Sequence, residues 1–496
     1  MTLMTRHLSI ASLLLCACLS STAQDIVTED FFETPPVVYS LDLRDLQRTY
    51  GPSVSQAKVR QRAGVNGTIV TYEDRITNMP RYLHDFINQY VEAAHEVLNG
   101  GTNWLSDPVA KAEKSGSTYY FPLKEVSGST NFTYDIGSTS NEIKQEAINA
   151  ADAIINLEID SLSSFMPYAY LSVNFDHPEV FWIGNGLQYG KTGTQYSWSY
   201  DNGEGIVTYK TALIFSLHSS NFDVRINGGI GYDFSSPTAI AQAVNRFRSQ
   251  IQTILEQSQG NSRYWRLLKA HDWITTHNSY NRPFYRGMGA DMIGELPWSP
   301  LSALEGKTDT QAPVCEGYAR AMKVLCDEMG IPNILMTGYA WSSPDATQPA
   351  EHMWNYVQME DEKWYAIDPT WDDPFDGKTT KAASGGESHK WFLLGSEAEL
   401  AEDWLFYDSH FENWRNSYPN NGPFGWNLLQ GPVIADQSYP GPYDPSKDGI
   451  TNLDDIQVMA EKIVNDNTDL LDIDDNGRIT IGDLVSLINY YLSLPQ

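Results

Sequence analysis

Residues 315–326 read Cys315-Glu316-Gly317-Tyr318-Ala319-Arg320-Ala321-Met322-Lys323-Val324-Leu325-Cys326. Apolar side chains recur at helical spacing through this stretch, which predicts one helix with a buried face. At ~1.5 Å rise per residue the two cysteine backbones lie ~16 Å apart, whereas a disulfide tolerates at most ~7 Å between Cα atoms. The two thiols therefore cannot pair. Cys326 lies on the buried face as a small apolar residue, and Cys315 opens the helix.

The position of Cys315 favours a reactive thiol. The positive end of the helix dipole and the free N–H groups of the first turn stabilise a thiolate. The same N–H groups can bind the oxyanion of an acyl intermediate. A buried structural cysteine is the ordinary alternative, and it describes Cys326 better than Cys315.

Two further segments supply an imidazole and a carboxylate. His352 enters a predicted strand, and Asp368 ends the next strand 16 residues later. A hairpin centred on Glu360 sets these two residues directly opposite, with Cβ atoms ~5 Å apart. Cys315, His352 and Asp368 are then a nucleophile, a general base and the group that orients the base. Each residue alone has an ordinary structural explanation. Chance is a poor explanation for all three occurring together in this order.

Four segments resemble the transglutaminase-like superfamily. They are Ala270-His271-Asp272-Trp273-Ile274, Val314-Cys315-Glu316-Gly317-Tyr318-Ala319-Arg320-Ala321, Glu351-His352-Met353-Trp354-Asn355-Tyr356-Val357 and Trp364-Tyr365-Ala366-Ile367-Asp368-Pro369-Thr370-Trp371-Asp372-Asp373-Pro374. The resemblance implies a papain/transglutaminase-like cysteine-peptidase core of the α+β class. It also implies a thioester formed at Cys315 from a peptide bond or a glutamine amide. Release of that thioester to water or to an amine leaves three activities open: peptidase, glutamine deamidase and transglutaminase.

Other residues near these motifs have more than one interpretation. Residues 308–312 are inserted before the cysteine motif, and Gln311 among them is either an oxyanion donor or a solvated loop residue. His271 and Asp272 are either a second acid–base pair or part of helix packing, and packing is favoured. Trp354 and Trp371 are expected to wall the site.

Two other enzyme classes fit the motifs less well. The Cys-Gly-Ser-Cys-Trp motif of papain-like enzymes is absent, and the third member of the predicted triad is Asp. A zinc enzyme is disfavoured because the chain contains no His-Glu-x-x-His motif, and no Cys-x-x-Cys pair remains outside the N-terminal leader.

Composition indicates a folded, acidic protein, and the N-terminal residues predict export. Asp and Glu total 63 against 33 Lys and Arg, so the net charge of −30 argues against binding nucleic acid. Residues 1–23 have a short basic start, an apolar stretch and small residues before a cleavage site after Ala23, as in a secretory signal peptide. A lipoprotein acylated at Cys18 is the alternative. No later segment is apolar over the length of a membrane span, so we expect a secreted or cell-surface protein.

The C-terminal residues repeat with a period of 28. In both copies, oxygen-bearing side chains stand at loop positions 1, 3, 5, 9 and 12, with Gly at position 6, as in an EF-hand calcium loop. The predicted ligands of two structural Ca²⁺ ions, with positions 7 contributing carbonyls, are Asp444, Ser446, Asp448, Ile450, Asn452, Asp455, Asp472, Asp474, Asn476, Arg478, Thr480 and Asp483. Each loop precedes a predicted helix, and no helix enters the first loop.

This loop–helix duplication resembles a dockerin, which implies a cohesin-like partner. The helix-entry pairs Leu453-Asp454 and Ile481-Gly482 differ from the Ser/Thr pairs of many dockerins, so the identity of any such partner stays open. An acidic, solvated tail is the alternative to a calcium-binding module.

These observations divide the chain into six segments. They are a signal peptide (1–23), an irregular segment (24–77), an α+β lead domain (78–260), a transglutaminase-like catalytic core (261–409), a trailing segment or linker (410–443) and a small all-α calcium module (444–496). Within the lead domain the sequence predicts a helix over 142–162, a strand over 180–183 and a hairpin turn at Asp201-Asn202-Gly203. The predicted function is thiol-dependent acyl transfer on proteins or peptides. The alternative is a non-catalytic binding or scaffold subunit on a degenerate enzyme fold.

Overall fold

The computed structural model of the chain describes residues 27–35, 37–42, 80–85, 87, 113–115, 118–181, 186–218, 237–260, 262–285, 296–341, 343–373, 389–412, 431–446, 453–465, 472–473, 476 and 478–493. The predicted signal peptide and most of residues 24–77 lie outside these ranges. So do the predicted calcium ligands Asp448, Ile450, Asn452 and Asp474. Within the described ranges, no helix has the length and apolar character needed to cross a membrane.

The chain forms two compact units. The first contains residues 1–35, 126–157 and 193–211, and the second contains residues 36–125, 158–192 and 212–496. The chain passes from one unit to the other within strand β4 (Thr118–Thr133), helix α1 (Ser140–Asp176) and strand β7 (Glu204–His218).

Antiparallel strands and the start of α1 build the first unit. Strand β1 (Val27–Glu33) pairs with β6 (Gln195–Asp201), which pairs with the first part of β7. The predicted β6–β7 turn is present, with positive φ angles of 46° at Asn202 and 88° at Gly203. Two left-handed residues in a two-residue turn match the twist of a hairpin, which explains an Asn-Gly pair at this point.

Helix α1 begins at a capping box. Thr139 N–H donates to Glu142 Oε2 over 2.7 Å, and this bond lowers the pKa of Glu142. The helix continues well beyond the predicted end at residue 162, through Pro167 to Asp176. The strand predicted over 180–183 is wrong for its first two residues, which form a turn after the helix, while residues 182 and 183 lie outside the described ranges.

The part of the second unit that precedes the transglutaminase-like motifs consists of short paired strands and one helix. Strand β2 (Val37–Asp42) pairs with β5 (Gly186–Lys191), and β5 pairs with the end of β7. Strand β3 (Glu113–Ser115) pairs with β4. Helix α2 (Pro237–Gln257) follows and packs against the next helix, α3 (Arg263–His277).

The rest of the second unit places helices against a four-stranded antiparallel sheet. Its strands follow the order β10 (Trp364–Ile367), β9 (Ala350–Gln358), β8 (Asn333–Ala340) and β13 (His410–Glu412). Helix α6 (Cys315–Glu328) packs against β8 and β9. The smaller elements are α4 (Arg282–Tyr285), a 3₁₀ turn (Leu296–Trp298), α5 (Pro300–Leu304), α7 (Pro369–Asp372), β11 (Glu399–Ala401), β12 (Trp404–Leu405) and α8 (Phe406–Ser409).

Helix α6 is buried around most of its circumference. Tyr318, Met322 and Leu325 are fully enclosed as predicted, but the charged residues Arg320 and Lys323 are buried as well. Each charge is paired one turn away along the helix: Arg320 with Glu316 at 2.7 Å, and Lys323 with Asp327 at 3.0 Å. Such pairing is what allows charged groups to be buried.

Residues 431–443 lie along the edge of the core. Ala435 N–H donates to Trp364 O, Ser396 N–H donates to Ala435 O, and Tyr439 N–H donates to Leu393 O. The two helices predicted for the tail follow as α9 (Leu453–Val464) and α10 (Ile481–Ser493). They pack together around a small core of Met459, Ile473 and Leu487.

Candidate active site

Cys315 is the first residue of α6, and the residue is partly exposed. The preceding residue, Val314, has an extended backbone and donates its N–H to Pro297 O. The start of the helix therefore lies tightly against the 3₁₀ turn. A Cβ atom at Gly317 would lie 2.6 Å from Pro297 O, so glycine is required for this approach.

Cys326 has the opposite environment. It is completely buried, and burial raises the pKa of its thiol far above the usual range. Cys326 is therefore a packing residue, as its place on the helix predicts.

His352 and Asp368 are in direct contact. His352 Nε2 donates to Asp368 Oδ2 over 2.6 Å, and both residues are buried. The predicted hairpin loop is also present, since β9 ends at Gln358, β10 begins at Trp364, and Glu360 lies between them. The predicted register is wrong by two residues. Asn355 pairs with Ile367, so Asp368 follows the strand and reaches His352 diagonally instead of from directly opposite.

Asp368 also caps the short helix α7. Its Oδ1 accepts the N–H of Thr370 over 3.1 Å, which leaves Oδ2 for the histidine. Burial alone would raise the pKa of Asp368, but the charge and hydrogen bonds of His352 and His410 hold it well below its usual range. The carboxylate is therefore ionised.

The His352 ring is held by the Asp368 carboxylate, and Cys315 also acts on its ionisation. Burial alone would lower its pKa, but the charge and hydrogen bond of Asp368, together with a hydrogen bond to Cys315, raise it to about 10. Because Nε2 is used by Asp368, Nδ1 is the ring nitrogen left for the thiol. The three predicted residues thus come together as thiol, imidazole and carboxylate.

Aromatic residues enclose the back of this group. The Trp371 ring stacks on His352 with centroids 4.8 Å apart and an interplanar angle of 22°. Trp354 is fully buried, and its ring stacks on His352 with centroids 6.1 Å apart.

Residues 251–369 match the family model described as the transglutaminase-like superfamily. This part of the chain is a transglutaminase-like domain. The match contains Cys315, His352 and Asp368 and ends one residue after Asp368. The match covers less than half of the chain, so it assigns this domain to the superfamily and leaves the rest of the protein unassigned.

Known proteins that resemble the chain include the mouse protein kyphoscoliosis peptidase. It is 27% identical over 128 residues, which is 25% of this chain but only 17% of the length of the mouse protein. A crystal structure of a TGase is 16% identical over 41% of this chain and 49% of that one, with a TM-score of 0.23. A putative cysteine protease from Cytophaga hutchinsonii is 12% identical over 53% and 70% of the two chains, with a TM-score of 0.19.

The transglutaminase-like domain contains a second charged cluster around His271. This ring is fully buried, with Nδ1 3.2 Å from Asp272 Oδ1 and Nε2 3.2 Å from Asp372 Oδ2. Burial alone would lower the pKa of His271, but the two carboxylates raise it to about 9. Asp372 also accepts the N–H of Trp391. The cluster ties α3, α7 and residues 389–391 together, which agrees with the favoured packing interpretation.

Gln311 is not the solvated loop residue that was considered. It is buried, and its backbone carbonyl accepts a hydrogen bond from the Ser302 hydroxyl. Its backbone N–H donates to Asp309 Oδ1 over 2.8 Å.

Sequence reasoning missed one residue at this site, His410. Its Nε2 lies 3.3 Å from Asp368 Oδ2, although the residue is 42 positions further along the chain. No motif surrounds it. The pairing of β13 with β8 brings it to the site, and such long-range pairing leaves no local signal in the sequence.

The described part of the tail contains buried acids at the ends of both predicted calcium loops. Asp444 and Asp455, at positions 1 and 12 of the first loop, are buried, as are Asp472 and Asp483 in the second. The position 12 carboxylates close the loops by accepting backbone N–H groups: Ser446 N–H in one, Ile473 N–H and Thr480 N–H in the other. Carboxylates are the side-chain ligands that calcium prefers. Asn476, Arg478 and Thr480 lie between them in the second loop.

Proposed function

We propose that the protein is an exported, thiol-dependent acyl-transfer enzyme that acts on proteins or peptides. The observation that carries this proposal is the buried contact between Asp368 and His352 at 2.6 Å, with Cys315, at the start of α6, among the groups that raise the pKa of His352. A non-catalytic binding protein is the alternative. A binding protein would not require an ionised carboxylate that orients a histidine toward a thiol.

The proposed reaction uses each residue in a stated role. His352 accepts the Cys315 proton, and the thiolate attacks the carbonyl carbon of a peptide bond or a glutamine side-chain amide. Free N–H groups at the start of α6 bind the oxyanion. The C–N bond breaks as His352 returns the proton to the leaving amine, and the acyl group remains on Cys315 as a thioester.

Release of the acyl group decides the type of reaction. Water as the acceptor gives peptide hydrolysis or glutamine deamidation, and an amine gives a cross-link. In either case His352 removes a proton from the attacking group, the C–S bond breaks, and Cys315 leaves as the thiolate. Asp368 orients the ring and stabilises its positive charge throughout.

The tail is proposed to bind two calcium ions and to act as a dockerin-like module toward a cohesin-like partner. The first ion would be held by Asp444, Ser446, Asp448, Asn452 and Asp455 with the Ile450 carbonyl. The second would be held by Asp472, Asp474, Asn476, Thr480 and Asp483 with the Arg478 carbonyl. Calcium, when bound, offsets the repulsion between the carboxylates of each loop. Export by the predicted signal peptide completes this proposal.

One experiment tests the catalytic proposal directly. The protein is incubated with a glutamine-rich protein and a labelled amine, while label uptake, ammonia and new N-termini are followed in parallel. We expect at least one of the three products, and none from a folded Cys315→Ala variant. We also expect iodoacetamide to modify Cys315 much faster than Cys326 in the native protein. Equal modification of the two thiols, or full turnover by the variant, would refute the assignment.

A further inference from the structure

His410 is a second buried histidine on the Asp368 carboxylate. Its Nε2 lies 3.3 Å from Asp368 Oδ2, the same oxygen that His352 Nε2 contacts at 2.6 Å. A carboxylate oxygen only accepts hydrogen bonds, so the His410 ring donates from Nε2. The residue lies beyond the part of the chain that matches the family model.

The surroundings of the His410 ring are apolar. Phe406 stacks on it with centroids 4.6 Å apart, and the rings of Trp354, Trp371 and Trp391 lie within 5.4 Å of it. Its side chain is 0% exposed, and Nδ1 has no hydrogen-bond partner among the residues that the structure describes. Burial lowers the pKa of His410 to about 4, and the charged groups that act on it are Asp368 and His352.

The backbone at this point is fixed. Trp341 N–H donates to Ser409 O, and the Ser409 hydroxyl donates to Trp341 O over 3.1 Å. Strand β13 then pairs His410 with Ala340 of β8. The ring is therefore held at Asp368 by the edge of the sheet.

Packing does not explain a histidine here. A phenylalanine or leucine would fill the same apolar enclosure without burying an unpaired ring nitrogen. The interaction that only a donor provides is the bond from Nε2–H to Asp368. With Thr370 N–H on Oδ1 and two histidines on Oδ2, the carboxylate has three donors around it.

We propose that His410 is a positioning residue for the reaction: its Nε2–H holds the Asp368 carboxylate so that Oδ2 faces His352. This inference rests on the proposed acyl-transfer function. Removing the donor leaves two of the three hydrogen bonds that fix the orientation of the carboxylate. It also removes a hydrogen bond to the charged form, which raises the pKa of Asp368. Both changes weaken the alignment of His352 with Cys315.

Three variants of the full chain test this role. His410→Phe keeps the ring volume and removes the donor. His410→Gln keeps an N–H donor at the reach of Nε2, and His410→Asn carries the same amide one carbon shorter. Each is compared with the wild type in kcat, KM and the pH profile of Cys315 alkylation by iodoacetamide.

We expect the Phe and Asn variants to lose about 10- to 100-fold in kcat with little change in KM, because the His410 side chain is fully buried and does not contact the substrate. The acid limb of their alkylation profiles should move to higher pH. The Gln variant should stay within about threefold of the wild type in kcat. Thermal melts establish which variants fold, and if the Phe variant does not, the comparison of Gln with Asn decides.

Two outcomes would overturn the inference alone. In the first, all variants match the wild type in kcat and pH profile. In the second, Gln loses as much as Asn while neither changes the profile, which would show that His410 acts through packing. A wild-type Cys315 that alkylates like an ordinary exposed thiol would overturn the proposed function, and this inference with it, before any His410 variant is measured.

Discussion

At the scale of single residues, the central feature is one carboxylate that serves several neighbours. Asp368 caps α7 through Oδ1 and contacts two histidines through Oδ2. Its charge and hydrogen bond raise the pKa of His352 to about 10 despite burial. The ionisation of His352 therefore depends on this carboxylate.

The first prediction concerns that charge. Asp368→Asn keeps the size of the side chain and removes the charge, so burial should lower the pKa of His352 from its value of about 10. We expect kcat to fall by about 10²- to 10⁴-fold and the alkaline limb of Cys315 alkylation to move to lower pH. Asp361→Asn, in the exposed hairpin loop, is the matched control and should be nearly silent. Wild-type turnover by the Asp368 variant would contradict the role given to this carboxylate.

The second prediction concerns His271. His271→Phe leaves Asp372 buried without its imidazolium, and we expect a loss of about 3 kcal/mol in the free energy of unfolding at pH 6. The folded pKa of about 9 exceeds the unfolded value of ~6.5, so the stabilisation is complete below ~6.5 and is lost as pH rises through about 9. The difference between wild type and variant should therefore shrink by pH 10.

Denaturant titrations of both proteins at the two pH values measure this effect. The control is His389→Phe, because His389 contacts Asp272 from a side chain that is 42% exposed. An exposed pair of this kind contributes about 0–1 kcal/mol. If the loss in the free energy of unfolding of the His271 variant is constant from pH 6 to pH 10, packing alone accounts for it and the charge does not.

At the scale of elements, the start of α6 is packed closely against the backbone of its neighbours. The helix, the 3₁₀ turn before it and the strand that carries His352 meet around Cys315. Gly317 allows the helix to approach Pro297, and the buried pair of Glu316 with Arg320 lies on the first two turns. The position of the sulfur is therefore set by backbone packing.

The third prediction tests that constraint. Gly317→Ala would place a Cβ atom 2.6 Å from Pro297 O, and neither backbone can yield easily. We expect the helix start to shift and turnover to fall by about 100-fold, since a displacement near 1 Å is enough for such a loss. Gly137→Ala is the control, because nothing lies within 4 Å of the added atom. Equal turnover by the two variants, measured with the same substrate, would exclude this role of the glycine.

At the scale of the whole molecule, the tail is attached to the transglutaminase-like domain within the second unit. Trp265 of α3 donates its indole N–H to the carbonyl of Asp472 over 2.5 Å, and Tyr264 stacks on Tyr439. Asp472 is also position 1 of the second predicted calcium loop. Binding of calcium in this loop is therefore expected to change the stability of the domain.

The fourth prediction follows from that connection. Free calcium at about 100 times its dissociation constant should stabilise the folded chain by ~2.7 kcal/mol per site, seen as a higher Tm that chelator reverses. Asp472→Ala should reduce the effect more than Ser446→Ala, since a carboxylate is a stronger ligand than a hydroxyl. A chain ending at residue 442 keeps the segment that bonds to β10, and it should retain turnover and lose the calcium response. A Tm that ignores calcium in the full chain would refute the calcium proposal.

Local features of the sequence determined much of the candidate site. The helix from Cys315, the hairpin loop around Glu360 and the Asn202-Gly203 turn each depend on residues close together in the chain, so spacing and turn chemistry predict them. The same is true of the contact between His352 and Asp368, because an even spacing keeps both side chains on one face of a hairpin.

Only the tertiary structure decided the rest. The five residues between β9 and β10, with Glu362 at a φ of 63°, set a register two residues away from the predicted one. The burial of Gln311 and Trp354 depends on what packs over them from elsewhere in the chain. His410 reaches Asp368 only because β13 joins the edge of β8, a pairing between segments some seventy residues apart. Contacts of that range depend on the packing of the whole domain, and no local pattern of residues encodes them.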